Sequence, residues 1–178
     1  ITLSLDSATV YSYINVDQYR TAGGKINFKY NLHPRFTVEL GLFQVARQSK
    51  ITEGEGFETP YRHSTDITSN MTYNLVRQKL RFLVNYKYTG RQPQFYSDAD
   101  GEIREGFIES YQMLDVTANK SFWNDRILLG IGAKNLFDYT NIESSGIATG
   151  GHTSGGGTYP VAWGRTFFVN LRLFFNKQ

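Results

Sequence analysis

The chain contains no cysteine, which excludes a disulfide framework and any thiolate metal site. Its absence suits an oxidising envelope compartment. Histidine is scarce: only His33, His63 and His152 occur, all in stretches that read as loops or turns. No apolar run approaches the roughly 20 residues of a membrane-spanning helix. That excludes helical spans but not spanning strands, which alternate and average out as polar. A strong excess of charge of one sign is missing too. The formal net charge is +3, and Lys and Arg are scattered singly among acids, so nucleic acid is not an expected partner. No Ser stands in a nucleophile elbow and no Gly-rich phosphate loop follows a strand. The chain is therefore not expected to be an enzyme, and no cofactor is expected. The enzyme-class rival, a barrel-borne hydrolase, would need a His with Ser or Asp partners at its rim. The opening ITLSLDSATV lacks the basic start and continuous apolar stretch of a signal peptide. It begins like the middle of a strand, so a fragment of a longer polypeptide is expected.

What the chain has is aromatics, 15% of its 178 residues, set in a period-two rhythm. KINFKYNL puts Ile26, Phe28, Tyr30 and Leu32 on one face and Lys25, Asn27 and Lys29 on the other. The same alternation runs through Phe36–Leu42, Asp66–Leu75, Lys79–Tyr88, Met113–Lys120, Ile127–Lys134 and Phe167–Phe175. An earlier strand near Ile1–Tyr13 brings the expected number to about eight. No helical pattern competes. The connections alternate in length. His33-Pro34, Val76-Arg77-Gln78 and Asn124-Asp125-Arg126 are tight, whereas Gln48–His63, Arg91–Phe107 and Phe137–Gly164 are long. In an up-and-down meander alternate connections share an end, so all short turns lie on one side and all long loops on the other.

Two architectures hide or use such a face. A soluble two-sheet sandwich would bury it between its layers; a membrane barrel would turn it to lipid. Three features favour lipid. The apolar face reads as free of charge across seven strands. It is more than twice the roughly dozen side chains that fill a closed eight-stranded barrel core. Aromatics also collect near strand ends: Tyr30, Phe36, Tyr73, Trp123 and Phe175 toward the short turns, Tyr86, Tyr88, Tyr111 and Phe167 toward the long loops. Short turns on one side, long loops on the other and aromatic girdles at both interfaces are expected of outer-membrane barrels. The expected fold is all-β, a transmembrane antiparallel up-and-down β-barrel.

The stretch Gly132-Ala133-Lys134-Asn135-Leu136-Phe137-Asp138 resembles the penultimate-strand ending of TonB-dependent outer-membrane receptors. A variable loop and a final strand follow in that family, matched here by Gly164-Arg165-Thr166-Phe167-Phe168 and Phe174-Phe175. Tyr111 with Leu114-Asp115 is similar to the third-from-last strand. Asn176-Lys177-Gln178 trails the final aromatic, where many members stop. The resemblance covers about the last third of the chain; upstream only the barrel rhythm accompanies it. It implies that residues 1–178 are the C-terminal wall of a 22-stranded barrel in the bacterial outer membrane, with the N-terminal plug absent from this chain. The implied function is active import of a siderophore, haem, cobalamin or glycan. The implied partners are outer-membrane lipid, the plug and remaining strands, the TonB complex through the missing N-terminal part, a small-molecule or glycan ligand, and a surface lipoprotein. The alternative is a self-contained eight-stranded barrel acting as anchor or adhesin.

Candidate ligand contacts lie in the long connections, where a ligand is first met. They are Tyr61 and His63, Phe95 and Tyr96, and His152, Tyr159 and Trp163 of the Gly-rich segment before Gly164. The bland account of each is an aromatic anchor or a solvated loop residue, and a single His is poor evidence for metal. Ser97–Gly106 has a calcium-loop look, but with Asp98, Asp100 and Gly101 in place its first and last ligand positions would be Tyr96 and Phe107, which cannot serve. No metal site is expected. On the polar face, Lys25, Lys29, Arg81, Lys87, Asp115 and Arg172 need only lumen water or mutual pairing, and could also pair with a plug.

Overall fold

A computed structural model describes residues 2–6, 10–14, 18–51, 57–97, 103–145 and 157–175. It contains fourteen strands: β1 (Thr2–Asp6), β2 (Val10–Ile14), β3 (Gln18–His33), β4 (Phe36–Ile51), β5 (Phe57–Glu58), β6 (Arg62–Leu75), β7 (Leu80–Thr89), β8 (Gln92–Ser97), β9 (Ile103–Ile108), β10 (Tyr111–Phe122), β11 (Ile127–Lys134), β12 (Asn141–Ser144), β13 (Gly157–Pro160) and β14 (Thr166–Leu173). One sheet dominates, ordered β14-β11-β10-β7-β6-β4-β3, with the short β5 beside β4. Every pairing in it is antiparallel between neighbours in the meander.

The period-two faces are those of the sequence. The row Tyr30–Val38–Met71–Val84–Val116–Ala133–Phe167 crosses seven strands without a polar residue. The next row is Phe36–Tyr73–Phe82–Ala118–Ile131–Val169. That second row reaches the Pro34–Arg35 turn in the first hairpin, stops two residues short of the second hairpin's end at Leu75, and four short of the third's at Phe122. The stagger tilts the strands against the line of turns, as closing a sheet into a cylinder requires. Among the described residues β3 pairs only with β4 and β14 only with β11, so no closed barrel is seen.

Among the described residues the apolar face is largely bare. Phe167, Val169 and Leu171 are 73%, 75% and 63% exposed, and Ile26 is 68% exposed. Among the described residues only Val45, Ala133 and Ile142 are buried hydrophobic residues, and they lie on three separate strands. Burial would stabilise each large side chain by about 1.5–3 kcal/mol, so a soluble sandwich would not leave this face bare. Much of the polar face pairs within itself. Lys29 Nζ sits 2.6 Å from Glu39 Oε1, Thr37 Oγ1 donates to Asn31 Oδ1 at 2.9 Å, and Arg81 Nε donates to Asn74 Oδ1 at 2.8 Å. The turns are stitched together as well: Lys79 reaches Asp125 at 3.3 Å, and Phe174 N–H donates to Arg126 O at 2.8 Å.

Three expectations need correction. Ile1–Tyr13 is not an eighth wall strand. Thr2–Asp6 pairs antiparallel with Val10–Ile14 as a separate two-stranded sheet, the apolar alternation ending at Asp6, a residue type depleted in strands. The apolar face is not free of charge, because Lys120 lies on it between Leu80 and Leu129. Its position two residues from the strand end lets the stem cover apolar surface while the amine reaches the edge, 5.5 Å from the Phe122 ring. The long connections are not plain loops either. β8, β9, β12 and β13 join into a four-stranded sheet, ordered β13-β12-β9-β8, because backbone groups of Phe107, Glu109, Glu143 and Ser145 find one another across two connections.

Candidate functional site at the long-connection end

The second sheet is tied to the wall by two Arg–Glu forks. At the start of β6, Arg62 Nε and Nη2 each lie 2.5 Å from a Glu105 oxygen on β9. Arg91, just after β7, contacts Glu109 through Nη2 at 2.6 Å and Nε at 3.2 Å. Its guanidinium also lies 3.9 Å from the Phe107 ring centre, a cation–π arrangement. The hydrogen bond from Arg91, with its charge, holds the Glu109 carboxyl below the usual carboxylate range. Glu105 and Glu109 in turn raise the already high values of Arg62 and Arg91, chiefly through those hydrogen bonds. Both guanidiniums are thus locked in the charged form. Between the forks opens a cleft of about 330 Å³ lined by Arg62, His63, Arg91, Pro93, Glu105, Gly106 and Phe107.

A second construction sits at the β11–β14 side. Asn135 directly follows β11 with φ 52°, and Asp138 comes three residues later with φ 63°. Both are residue types that tolerate the left-handed region. Asn135 is buried. Its N–H donates to Asp115 Oδ1 at 2.9 Å, and its Nδ2 donates to the carbonyls of Tyr139 and Trp163, each at 2.9 Å. Tyr139 N–H returns a bond to Asn135 Oδ1 at 3.1 Å. Asp138 Oδ1 accepts from Arg165 N–H at 2.7 Å, and Arg165 Nε donates to Leu136 O at 3.1 Å. The motif Asn-Leu-Phe-Asp and the distant Gly-Arg are therefore two halves of one latch, which closes the base of the connection that carries β12 and β13.

The structure divides the expected contact residues. His63 lines the cleft and Tyr61 is exposed beside it in sequence. Phe95 and Tyr96 lie on β8, paired with Glu105 and Arg104 of β9, rather than in a loop. Tyr159 also lies on a strand, β13, paired with Ile142, while the Trp163 side chain is 91% exposed and only its carbonyl is held. β13 and β8 are opposite edges of their sheet, so these residues form two groups and not one site. His152 lies outside the described residues, as does the tip of Ser97–Gly106 beyond Ser97 and before Ile103. No group of His, Asp or Glu that could hold a metal occurs among the described residues. Sequence reasoning missed Arg62, Arg91, Glu105 and Glu109. Their only signal was charge placed at strand ends, without a spacing that announces pairing.

A wall with one bare apolar face, a self-paired polar face, tight turns at one end and built-up connections at the other defines an outer-membrane β-barrel protein. The chain belongs to the outer membrane protein beta-barrel family, whose family model matches residues 1–159. Its place is the bacterial outer membrane. The apolar face is then the lipid face, the short turns are periplasmic, and the cleft and latch are extracellular. No curated protein and no solved structure matches the chain.

Proposed function

We propose that the chain forms part of the barrel wall and ligand-capturing mouth of a TonB-dependent receptor that imports a scarce nutrient: a siderophore, haem, cobalamin or a glycan. The observation that carries this is the pair of open edges. Among the described residues β3 and β14 pair with one wall strand each, and unpaired backbone groups in hydrocarbon cost several kcal/mol apiece. Further strands of the same polypeptide would satisfy them, as a barrel of about 22 strands with a plugged lumen provides. The residues Asn135–Asp138 and Gly164–Arg165, which carry the resemblance to these receptors, support the same reading through their latch. In this reading the chain catalyses nothing and needs no cofactor. Its partners are lipid, the plug and remaining strands, the TonB complex reached through a preceding segment, the ligand, and a surface lipoprotein.

The test combines size and energy. An antibody against this chain should detect a native outer-membrane polypeptide several-fold larger than 178 residues, and growth on the limiting nutrient should require both it and TonB. A native band the size of this chain, with heat-modifiable migration, would mean a small self-contained barrel serving as anchor or adhesin. A lumen so narrow is filled by side chains, and import would be ruled out.

A further inference from the structure

At the extracellular end of the wall, Arg47 of β4 stands directly opposite Arg62 of β6. Directly opposed residues of an antiparallel pair have Cβ atoms about 4.5–5.5 Å apart, and like charges there are destabilising. Neighbouring charges are neutralised in pairs: Arg62 with Glu105, Arg91 with Glu109, and Lys50 with Glu58. No carboxylate pairs with Arg47 among the described residues. Its Nη1 is buried and has no hydrogen-bond partner. Arg62 commits Nε and Nη2 to Glu105, which leaves Nη1 as its remaining nitrogen. Two arginines thus face each other across the ladder with only one of them held by a carboxylate, and a buried charged donor is left unmet, an arrangement that is costly unless something completes it. Water could accept one bond but would not offset the second positive charge. An oxyanion does both, and guanidinium groups suit carboxylate and phosphate geometry.

We propose that Arg47 and Arg62 form an oxyanion seat at the barrel mouth, beside the cleft, for a soluble ligand bearing carboxylate or phosphate groups. This deepens the import reading by naming the ligand's chemistry. Phe107 and Pro93 give the adjoining cleft an apolar wall, so the ligand pairs an anionic group with a less polar body.

The test is calorimetric titration of the purified full-length receptor in detergent with tricarballylate and with inorganic phosphate, repeated on Arg47→Gln and Arg47→Lys. Saturable binding is expected, weakened about tenfold or more in Arg47→Gln. Arg47→Lys should fall between, because it keeps the charge and loses the fork. Heat-modifiable migration of each variant reports that the barrel still folds. Binding of phosphate alone upholds the seat and makes the ligand's group a phosphoryl. No saturable binding of either probe, or equal binding by Arg47→Gln, overturns it. Lipopolysaccharide phosphate that remains bound and is not displaced by either probe overturns the soluble ligand. The import reading fails separately: Arg47-dependent binding with TonB-independent growth would leave the seat standing and remove the transport.

Discussion

A cation placed on the lipid face should cost more the deeper it sits, and the structure supplies the depths. Ile131 lies four residues from Ile127, the first position of β11 after the short turn. At about 3.4 Å per residue and a tilt of about 35–45°, it stands about 10 Å above that strand end. An apolar band about 25 Å tall then puts Ile131 near mid-depth, and its side chain is 51% exposed on the bare face. Leu129 stands only about 5 Å above the strand end by the same geometry. It faces Lys120, a cation already tolerated at that depth. Ile131→Arg should therefore cost about 2–4 kcal/mol, and Leu129→Arg about 1 kcal/mol or less. The first is about a 30- to 700-fold loss in the ratio of assembled to unassembled protein. Asn70→Arg provides the control, since Asn70 is on the polar face opposite Glu39 and should cost little. The assay is urea unfolding of the full-length polypeptide in lipid vesicles, with heat-modifiable migration as the measure of assembly. Equal losses for Ile131→Arg and Asn70→Arg would refute the facing assignment. Equal losses at positions 129 and 131 would refute the depth.

Gly132→Val should destabilise the wall by about 1–3 kcal/mol by overpacking, because a Cβ there would stand 2.5 Å from Phe168 Cζ and 2.6 Å from Val116 O; a shift of the unfolding midpoint measures it. Asn135→Gly keeps a residue that accepts φ 52° and deletes the side-chain bonds to Tyr139 and Trp163. The barrel should assemble normally while protease cuts the connection between Asp138 and Gly164 more readily, and unchanged cleavage would remove the latch. The Arg91–Glu109 fork should be insensitive to pH between 8 and 5. Its carboxyl titrates below the usual range, so its contribution is complete above the unfolded value of about 4.3 and disappears only as pH falls through the lowered folded value. Amide exchange of β8 and β9 at pH 7, 5 and 3 would show loosening at pH 3 alone, and loosening already at pH 5 would contradict it.

Much of this fold was legible in one dimension, because a strand's side chains alternate with period two whatever surrounds them. Ile26, Phe28, Tyr30 and their counterparts declare one face, and Pro34, Val76–Gln78 and Asn124–Arg126 declare the turns. The bare apolar face followed from its size, since no small barrel interior could hold it. Lys120 escaped notice because the apolar count stopped at Ala118, and only the register with Leu80 and Leu129 set its face. At the extracellular end the long connections and His63 were legible, but the strand pairing was not. Short strands such as Asn141–Ser144 and Gly157–Pro160 carry too few residues for a period, and they exist because partners distant in the chain complete their backbone hydrogen bonds. The latch shows the same division. The sequence by itself displayed Asn135, Asp138 and Arg165, and only the tertiary structure decided that one buried amide would hold two distant carbonyls. It also decided that Arg47 stands opposite Arg62 while Glu105 pairs with Arg62 alone, because charge pairing depends on strand register and not on spacing along the chain.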